Sequence, residues 1–439
     1  MSMGSISAAD LELVQAKFRR SRPDAAFEDG LESGLDLKPR TLSWEIISAG
    51  EIENLGQEAW DALSRESVEH NPFYSRSYVL AGLGTIDRKA CLQALTFRET
   101  SGNLVGLFPF VRRWTAAFGA ANLYQFCGTP LVSRDHASAV IGMWLEGVSR
   151  GIWPAVWSLP NVRVNSSFVL LVQRHARERG LQVRLVSPYT RPLLTRNAGS
   201  FERHVETCLA KGRRKDIQRS IRRLRELGEL RFERAEHPER VRALVSDFLT
   251  IEASGWKGTA GTAFLAHPSH AAFARAAFQG SGEAPVAAVM DALLLDGRPI
   301  ALSVNLRSGR TLFTPKGTYD EHLRSLSPGI VLEYMVVERL FHEHDWDLMD
   351  ACTTVDGHVV QGLWDEGISM ANLILGKPGS VRVLTAAMTS RERLKRAVKR
   401  MLRHPALRRR FNGASWTRRF AAFPGRPSKS NRRDNETET

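Results

Sequence analysis

Apolar and polar positions fall into regular patterns only from Leu42 onward. LSWEIIS (42–48) alternates like a half-buried strand, and NLGQEAWDALSRES (54–67) spaces its apolar residues like a helix. CLQALTFRETSGNLVGLFPFVRRW (91–114) predicts two strands joined at Ser101-Gly102-Asn103. Helical spacing returns at SAVIGMWLEGVSRG (138–151) and SFVLLVQRHARERG (167–180), each followed by a strand-like run, AVWSLPNV (155–162) and LQVRLVS (181–187). Interleaved strands and helices predict an α/β layer domain ending near Pro192.

The second half repeats this order with longer elements. A charged helix or helix pair over 201–228 leads to the strand LRFERA (230–235) and to helices at 237–256 and 270–281. Three strands follow over 285–319, joined at Asp296-Gly297 and Ser308-Gly309, where glycine supplies the positive φ of a tight hairpin. A helix at 329–344, a strand at 346–352, the segment HVVQGLWDEG (358–367) and a last strand at 369–375 complete the body. The repeated order predicts an internal duplication.

Charge changes the picture in one place. The chain carries a formal net charge of +14, but residues 376–439 hold 18 Lys and Arg against four acidic residues, whereas residues 1–375 hold 43 of each sign. The basicity therefore belongs to the tail. There Leu394, Val398, Met401, Leu402 and Leu407 recur at helical spacing among cations, the pattern of an amphipathic helix on an anionic membrane or another polyanion. Residues 1–40 read as a flexible leader, and the text after Phe420 as disordered. The four cysteines form no CxxC or zinc-like cluster, and the N-terminus has no secretory pattern, so the expectation is a cytoplasmic protein, peripheral at the inner membrane face if the tail binds lipid.

Candidate chemistry gathers in the second half. Ser327-Pro328-Gly329 predicts a prepared helix start: Ser327 accepts a first-turn N–H, Pro328 fits the first helical position, and Gly329 allows close backbone approach, with Ile330 next in line. Such an N-terminus suits phosphate. Lys316 and Tyr319 end the third hairpin strand, Lys316 suited to a phosphate or acidic group and Tyr319 to a leaving thiolate. Glu252 is a candidate general base, with Trp256 and Lys257 of the following loop as acceptor-binding residues; the structural alternative makes Gly255 a left-handed cap and Trp256 a core plug. Asp350 and His358 flank the last strand as further acid–base candidates. Nucleophile-elbow, HExxH and dinucleotide-fingerprint patterns are absent, so neither covalent nor metal catalysis is expected.

RRKDIQRSIRRLRELGELRFER (213–234), FLTIEASGWKGTAGTA (248–263), GRPIALSVNLRSGRTLFTPKGTYDEHLRSLSPGIVLEY (297–334) and DLMDACTTVDGHVVQGLWDE (347–366), with NPFYSRSYV (71–79) and LVGLFPFVRR (104–113), carry a resemblance. Over residues 42–375 the chain resembles the CelD-like (cellulose-biosynthesis) acetyltransferases, double-GNAT relatives of the FemAB-type transferases. The resemblance implies tandem GNAT-like domains, each a mixed, mostly antiparallel sheet flanked by helices, at 41–196 and 197–376, between the leader 1–40 and the tail 377–439. It implies an acyltransferase using acetyl-CoA as co-substrate without a metal, acting on a sugar or polysaccharide precursor in exopolysaccharide or cellulose biosynthesis. Two alternatives stand beside it: a FemAB-like transferase supplied by aminoacyl-tRNA, and a non-catalytic scaffold. The loop before residue 328 departs from the Gln/Arg-x-x-Gly-x-Gly/Ala run of ordinary GNAT enzymes.

Overall fold

The computed structural model describes residues 41–87, 91–196, 199–279, 284–343, 346–354, 363–364 and 366–403. Its first compact unit runs to Val381 and its second begins at Arg382.

Among the described residues thirteen strands build the first unit: β1 Leu42–Ser48, β2 Leu92–Glu99, β3 Leu104–Arg113, β4 Ala116–Gly119, β5 Leu131–Val132, β6 Val156–Arg163, β7 Gln182–Thr195, β8 Leu230–Ala235, β9 Val286–Leu295, β10 Arg298–Ser308, β11 Thr311–Tyr319, β12 Leu348–Asp350 and β13 Glu366–Gly376. The helices are α1 Ala49–Glu53, α2 Gln57–Glu66, α3 Arg76–Thr85, α4 Ala137–Arg150, α5 Ser167–Glu178, α6 Phe201–Cys208, α7 Lys211–Leu227, α8 Pro238–Ser254, α9 Trp256–Thr259, α10 Pro268–Ala277, α11 Pro328–His342 and α12 Pro378–Arg403. The charged stretch 201–228 is a helix pair, broken at Leu209-Ala210 and closed by Gly228.

All strands share one mixed sheet in the order β1-β2-β3-β4-β6-β13-β7-β12-β11-β10-β9-β8, with β5 on β3. Neighbours are antiparallel except β4 beside β6 and β11 beside β12. Four antiparallel strands, a parallel fifth and an antiparallel sixth are thus read from either edge toward the centre. The sixth strand is exchanged: β13 lies on β6, and β7 lies on β12. Because β13 and β7 then pair with each other over 11 residues of β13, the two halves share one hydrogen-bonded sheet.

Helices cover both faces. In the second half α8 and α10 pack Val241, Leu244, Phe248 and Phe273 against Met290, Leu302, Val304 and Phe313. On the opposite face α7 and α11 pack Ile217, Ile221, Leu224, Val331 and Val337 against Val289, Leu293 and Leu312. β9 faces apolar layers on both sides, which is why its run is almost unbroken: nine of its ten residues are buried. The Asp296-Gly297 hairpin has positive φ at both residues, 48° and 75°.

The tail helix α12 follows directly from Gly376, confirming helical spacing as far as Arg403. Leu407 lies outside the described residues, as does most of HVVQGLWDEG with the candidate base His358.

Candidate active site

β11 pairs with β12 only from Thr311 to Phe313, opposite Leu348 to Asp350, but pairs with β10 as far as Tyr319. From Thr314 onward, then, one edge of β11 has no strand neighbour among the described residues. The β10 register also slips between Val304 and Leu306, where β11 carries one extra residue. The bulge puts Lys316 on the α8 face and Tyr319 on the α11 face. The side of the cleft beyond β12 is a buried ion pair, Arg191 Nη1 to both Asp350 oxygens at 3.3 Å, with Arg191 also donating to the Phe126 carbonyl at 2.6 Å and the Tyr189 hydroxyl at 2.9 Å.

On the α8 face, a charged group forms where the sequence reading placed separate candidates. Glu252 is enclosed at 1% exposure in the last turns of α8. Its Oε2 accepts the Phe264 N–H at 2.8 Å, and its Oε1 lies 2.7 Å from Lys316 Nζ and 3.7 Å from Lys257 Nζ. The Lys316 contact is a charge pair whose alignment falls short of a hydrogen bond. Lys316 also sits 3.9 Å over the Phe264 ring. Lys257 donates to the Gly317 carbonyl at 2.6 Å, a group β12 is too short to reach. Burial and the like charge of Lys316 hold the Lys257 amine below its ordinary range, against the pull of Glu252.

Tyr124 and His270, which the sequence reading missed, complete the group. Segment 120–130 fills the first half's own strand gap beyond β4: Gly128 packs so closely on Pro160 that a Cβ would stand 2.2 Å from its carbonyl oxygen. Asn71 ties it down through Cys127 and Thr129, at 3.2 and 2.7 Å, and Tyr78 through the Tyr124 carbonyl at 2.6 Å. The Tyr124 side chain thereby reaches the second half, stacked on Phe273 and 2.9 Å from His270 Nδ1. Burial and the charge of Glu252 push its hydroxyl up to about 12. Burial, then His267 and Lys316, lower the His270 imidazole below 6.5, so it is neutral at neutral pH. No periodicity announces a pair 146 residues apart.

At the other end of β11 the chain makes a short 3-10 turn, Glu321–Leu326, and enters α11. The expected Ser327 cap does not form: Ser327 is left-handed at φ 52° and its side chain accepts no first-turn N–H. Its carbonyl instead receives the Ile330 and Val331 N–H groups, at 3.0 and 3.1 Å, which removes Ile330 from the set of available donors. Buried Pro328 has no N–H, so of the first turn the Gly329 N–H is the uncommitted one. Arg324-Ser325-Leu326-Ser327-Pro328-Gly329 keeps the spacing of the Arg-x-x-Gly-x-Gly run after all, with Ser327 in the left-handed conformation a glycine would adopt. Arg324 at its head is exposed.

Several further sequence assignments change. Lys316 is ion-paired with Glu252 on the face away from α11, so it does not sit at the start of that helix. Tyr319 packs against Gly329, 3.3 Å from where a Cβ would stand, and so lies at the α11 end of the strand. Asp350 is committed to Arg191 and to the Cys352 N–H at 2.8 Å, buried at 1%, which makes it a structural partner. Trp256 is 58% exposed and no core plug, and Gly255 has φ −91°, so neither part of the structural alternative holds. The Trp256 N–H donates to Glu321 Oε1 at 2.8 Å, tying this loop to the 3-10 turn. Among the described residues no three His, Cys, Asp or Glu side chains form a group that could hold a metal ion.

Residues 211–354, from α7 through β12, match the family described as Acetyltransferase (GNAT) domain. No curated protein matches the chain. Among solved structures, FemX is 9% identical, with 78% of this chain and 100% of that one covered at a TM-score of 0.50. The C-terminal domain of a putative lysylphosphatidylglycerol synthetase from Agrobacterium fabrum is 12% identical, with 78% and 96% covered at 0.48. L-PGS from Bacillus licheniformis is 10% identical, with 77% and 95% covered at 0.46. At such identities the likeness to FemX is one of fold. Residues 211–354 are an acetyltransferase (GNAT) domain, and the chain that carries them is an acyltransferase.

Proposed function

We propose that the cleft between β11 and β12 binds an acyl-CoA, with its phosphates at the start of α11 and its thioester near Lys316. The observation that carries this reading is the early end of the β11–β12 pairing, which leaves a strand edge running from the charged group to the helix start. Lys316 and Tyr319 are three residues apart, about 10 Å of extended strand, a span along which an extended pantetheine arm can hydrogen-bond. A thiolate leaving at the Lys316 end is therefore remote from Tyr319, and solvent or acceptor protons must reach it instead.

Transfer then needs three things from the residues near Lys316. The Lys316 ammonium, held by Glu252, stabilises the negative charge that develops on the thioester oxygen as the acceptor attacks. His270 takes the acceptor's proton: in the tautomer whose Nδ1–H donates to the Tyr124 oxygen, Nε2 keeps a lone pair. As the acceptor bonds to the carbonyl carbon, the carbon–sulfur bond breaks and CoA leaves as the thiolate. Enclosed and already paired, Glu252 positions Lys316 and Lys257 rather than acting as the base. The exposed Trp256 offers an indole face beside this loop, the kind of surface on which a sugar ring stacks, and this favours a sugar or polysaccharide precursor as acceptor, in keeping with the CelD-like resemblance.

Thiol release from acetyl-CoA, followed over a panel of amino sugars and oligosaccharides, tests the assignment. His270→Ala should lower kcat by about 100-fold with little change in donor affinity, the size of a lost general base. Wild-type activity in His270→Ala would remove His270 from the mechanism.

A second reading rests on α7. Lys211, Arg214, Lys215, Arg219 and Arg222 line a shallow concavity of about 700 Å³ on its outer face, a surface suited to a phosphate backbone, as a donor carried on aminoacyl-tRNA would present. Competition between acetyl-CoA and tRNA for the protein separates the two readings.

A further inference from the structure

A second feature lies outside the cleft, at the hairpin between β3 and β4. Trp114 stands at its tip with φ 55° and 95% of its surface exposed, in a conformation that costs a bulky residue energy. Among the described residues nothing packs on its side chain. Arg112 and Arg113 before it are exposed as well. The turn from α4 to β6 runs alongside: the Ala155 N–H donates to the Thr115 carbonyl at 3.0 Å, and this turn presents Ile152, 51% exposed. Trp153, next to Ile152, packs edge-on against Trp44 at 4.8 Å, and Trp44 is itself 42% exposed. One end of the sheet thus collects three large exposed apolar side chains, two of them indoles.

The charges around them have one sign. Exposed Arg150 and Lys377 join Arg112 and Arg113, the Lys377 N–H donating to the Ala155 carbonyl. Glu146, the acid on this part of α4, is occupied by Arg150 at 2.6 Å and Arg179 at 3.1 Å. Glu45, next to Trp44, lies on the opposite face of β1. Indoles at a protruding tip, ringed by guanidinium groups, match the amphipathic boundary of a bilayer, where indole sits at the headgroup level and arginine meets lipid phosphate.

We propose that this end of the first half, led by Trp114, docks the protein on an anionic membrane surface. The site is separate from the β11 cleft, so the proposal stands or falls independently of the acyl-CoA reading. Its partner is the lipid surface itself; no lipid enters the catalytic group.

The test is co-sedimentation of the full chain with phosphatidylcholine vesicles, with and without phosphatidylglycerol. Trp114→Ser, Trp114→Phe and the pair Arg112→Gln/Arg113→Gln are compared with wild type. Wild type should bind the anionic vesicles preferentially. Trp114→Ser should weaken this severalfold, Trp114→Phe should retain most of it, and the arginine pair should lose the preference for phosphatidylglycerol. Because Trp114 packs on nothing, Trp114→Ser should unfold at the wild-type temperature. Equal binding by wild type and Trp114→Ser would overturn the proposal, as would no vesicle binding by wild type. Self-association in sedimentation velocity that Trp114→Ser abolishes, without vesicle binding, would assign the patch to a second copy of this chain and overturn it too.

Discussion

Glu252 and Lys316 illustrate how far single residues can be read. Both are recognisable in the sequence as polar residues flanking apolar runs, but their partnership depends on a bulge in β11 that no pattern announces. Breaking the pair should be costly, because Glu252 is fully enclosed. Lys316→Met should lower unfolding free energy by on the order of 3 kcal/mol, whereas Lys316→Met with Glu252→Gln should recover part of it, measured by urea denaturation. Additive losses would show that the pair is not coupled. His270 gives a pH signature. Its imidazole titrates below 6.5, so between that lowered value and 6.5 the unfolded chain binds more protons than the folded one. Its contribution to stability is therefore present above 6.5 and is lost as pH falls. The acid limb of kcat/KM should likewise lie below pH 6.5, and a limb at or above 6.5 would contradict the partly buried His270 as base. Tyr124 and His270 escaped the sequence reading because Tyr124 sits in an irregular segment and His270 in the first turn of α10, and only the fold brings them together.

At the scale of elements, periodicity served well wherever an element had one wet and one dry face. α11 and the paired helices α6 and α7 appear where helical spacing put them, while the β9–β11 meander was marked by its Asp296-Gly297 and Ser308-Gly309 turns, because β9 is buried on both faces. Short elements did not announce themselves: α3 has weak amphipathic contrast, and β4 is four residues long. The helix start at α11 was correctly located but wrongly built. Serine before proline suggested a cap, yet the 3-10 turn hands the chain over in a left-handed conformation and turns the side chain away. Ser327→Gly should therefore be neutral or stabilising by up to about 1 kcal/mol in thermal unfolding, with acetyl-CoA affinity retained. A clear loss of stability would mean that the serine side chain is needed. On the same helix, Glu333 accepts a 2.6 Å hydrogen bond from Trp364 Nε1, and burial pushes its carboxyl up to about 7. Since this carboxyl is raised from 4.5, its contribution is present below 4.5 and is lost as pH rises toward 7. Glu333→Gln should flatten the fall in stability across that interval, and an unchanged pH dependence would contradict the assignment.

For the first unit as a whole, the repeated order of elements was legible as a duplication, but its consequence was not. A strand's hydrophobic pattern says that it belongs in a sheet and not which neighbour it takes. Thus β7 and β13 were read as closing their own halves, whereas each completes the other. Residues 41–376 should therefore unfold in one calorimetric transition, and two resolved transitions would contradict the exchange. The exchange also sits beside a division of labour: the first half has filled its strand gap with segment 120–130 and lends Tyr124 to the gap that remains open. The account as a whole rests on that open gap holding an acyl-CoA. Calorimetric titration of acetyl-CoA into the wild type and into Gly329→Glu, which sets a carboxylate where the phosphates are placed, tests it most directly. Saturable binding by the wild type that is lost in a folded Gly329→Glu is the expected result; equal binding by both, or none by the wild type, would contradict it.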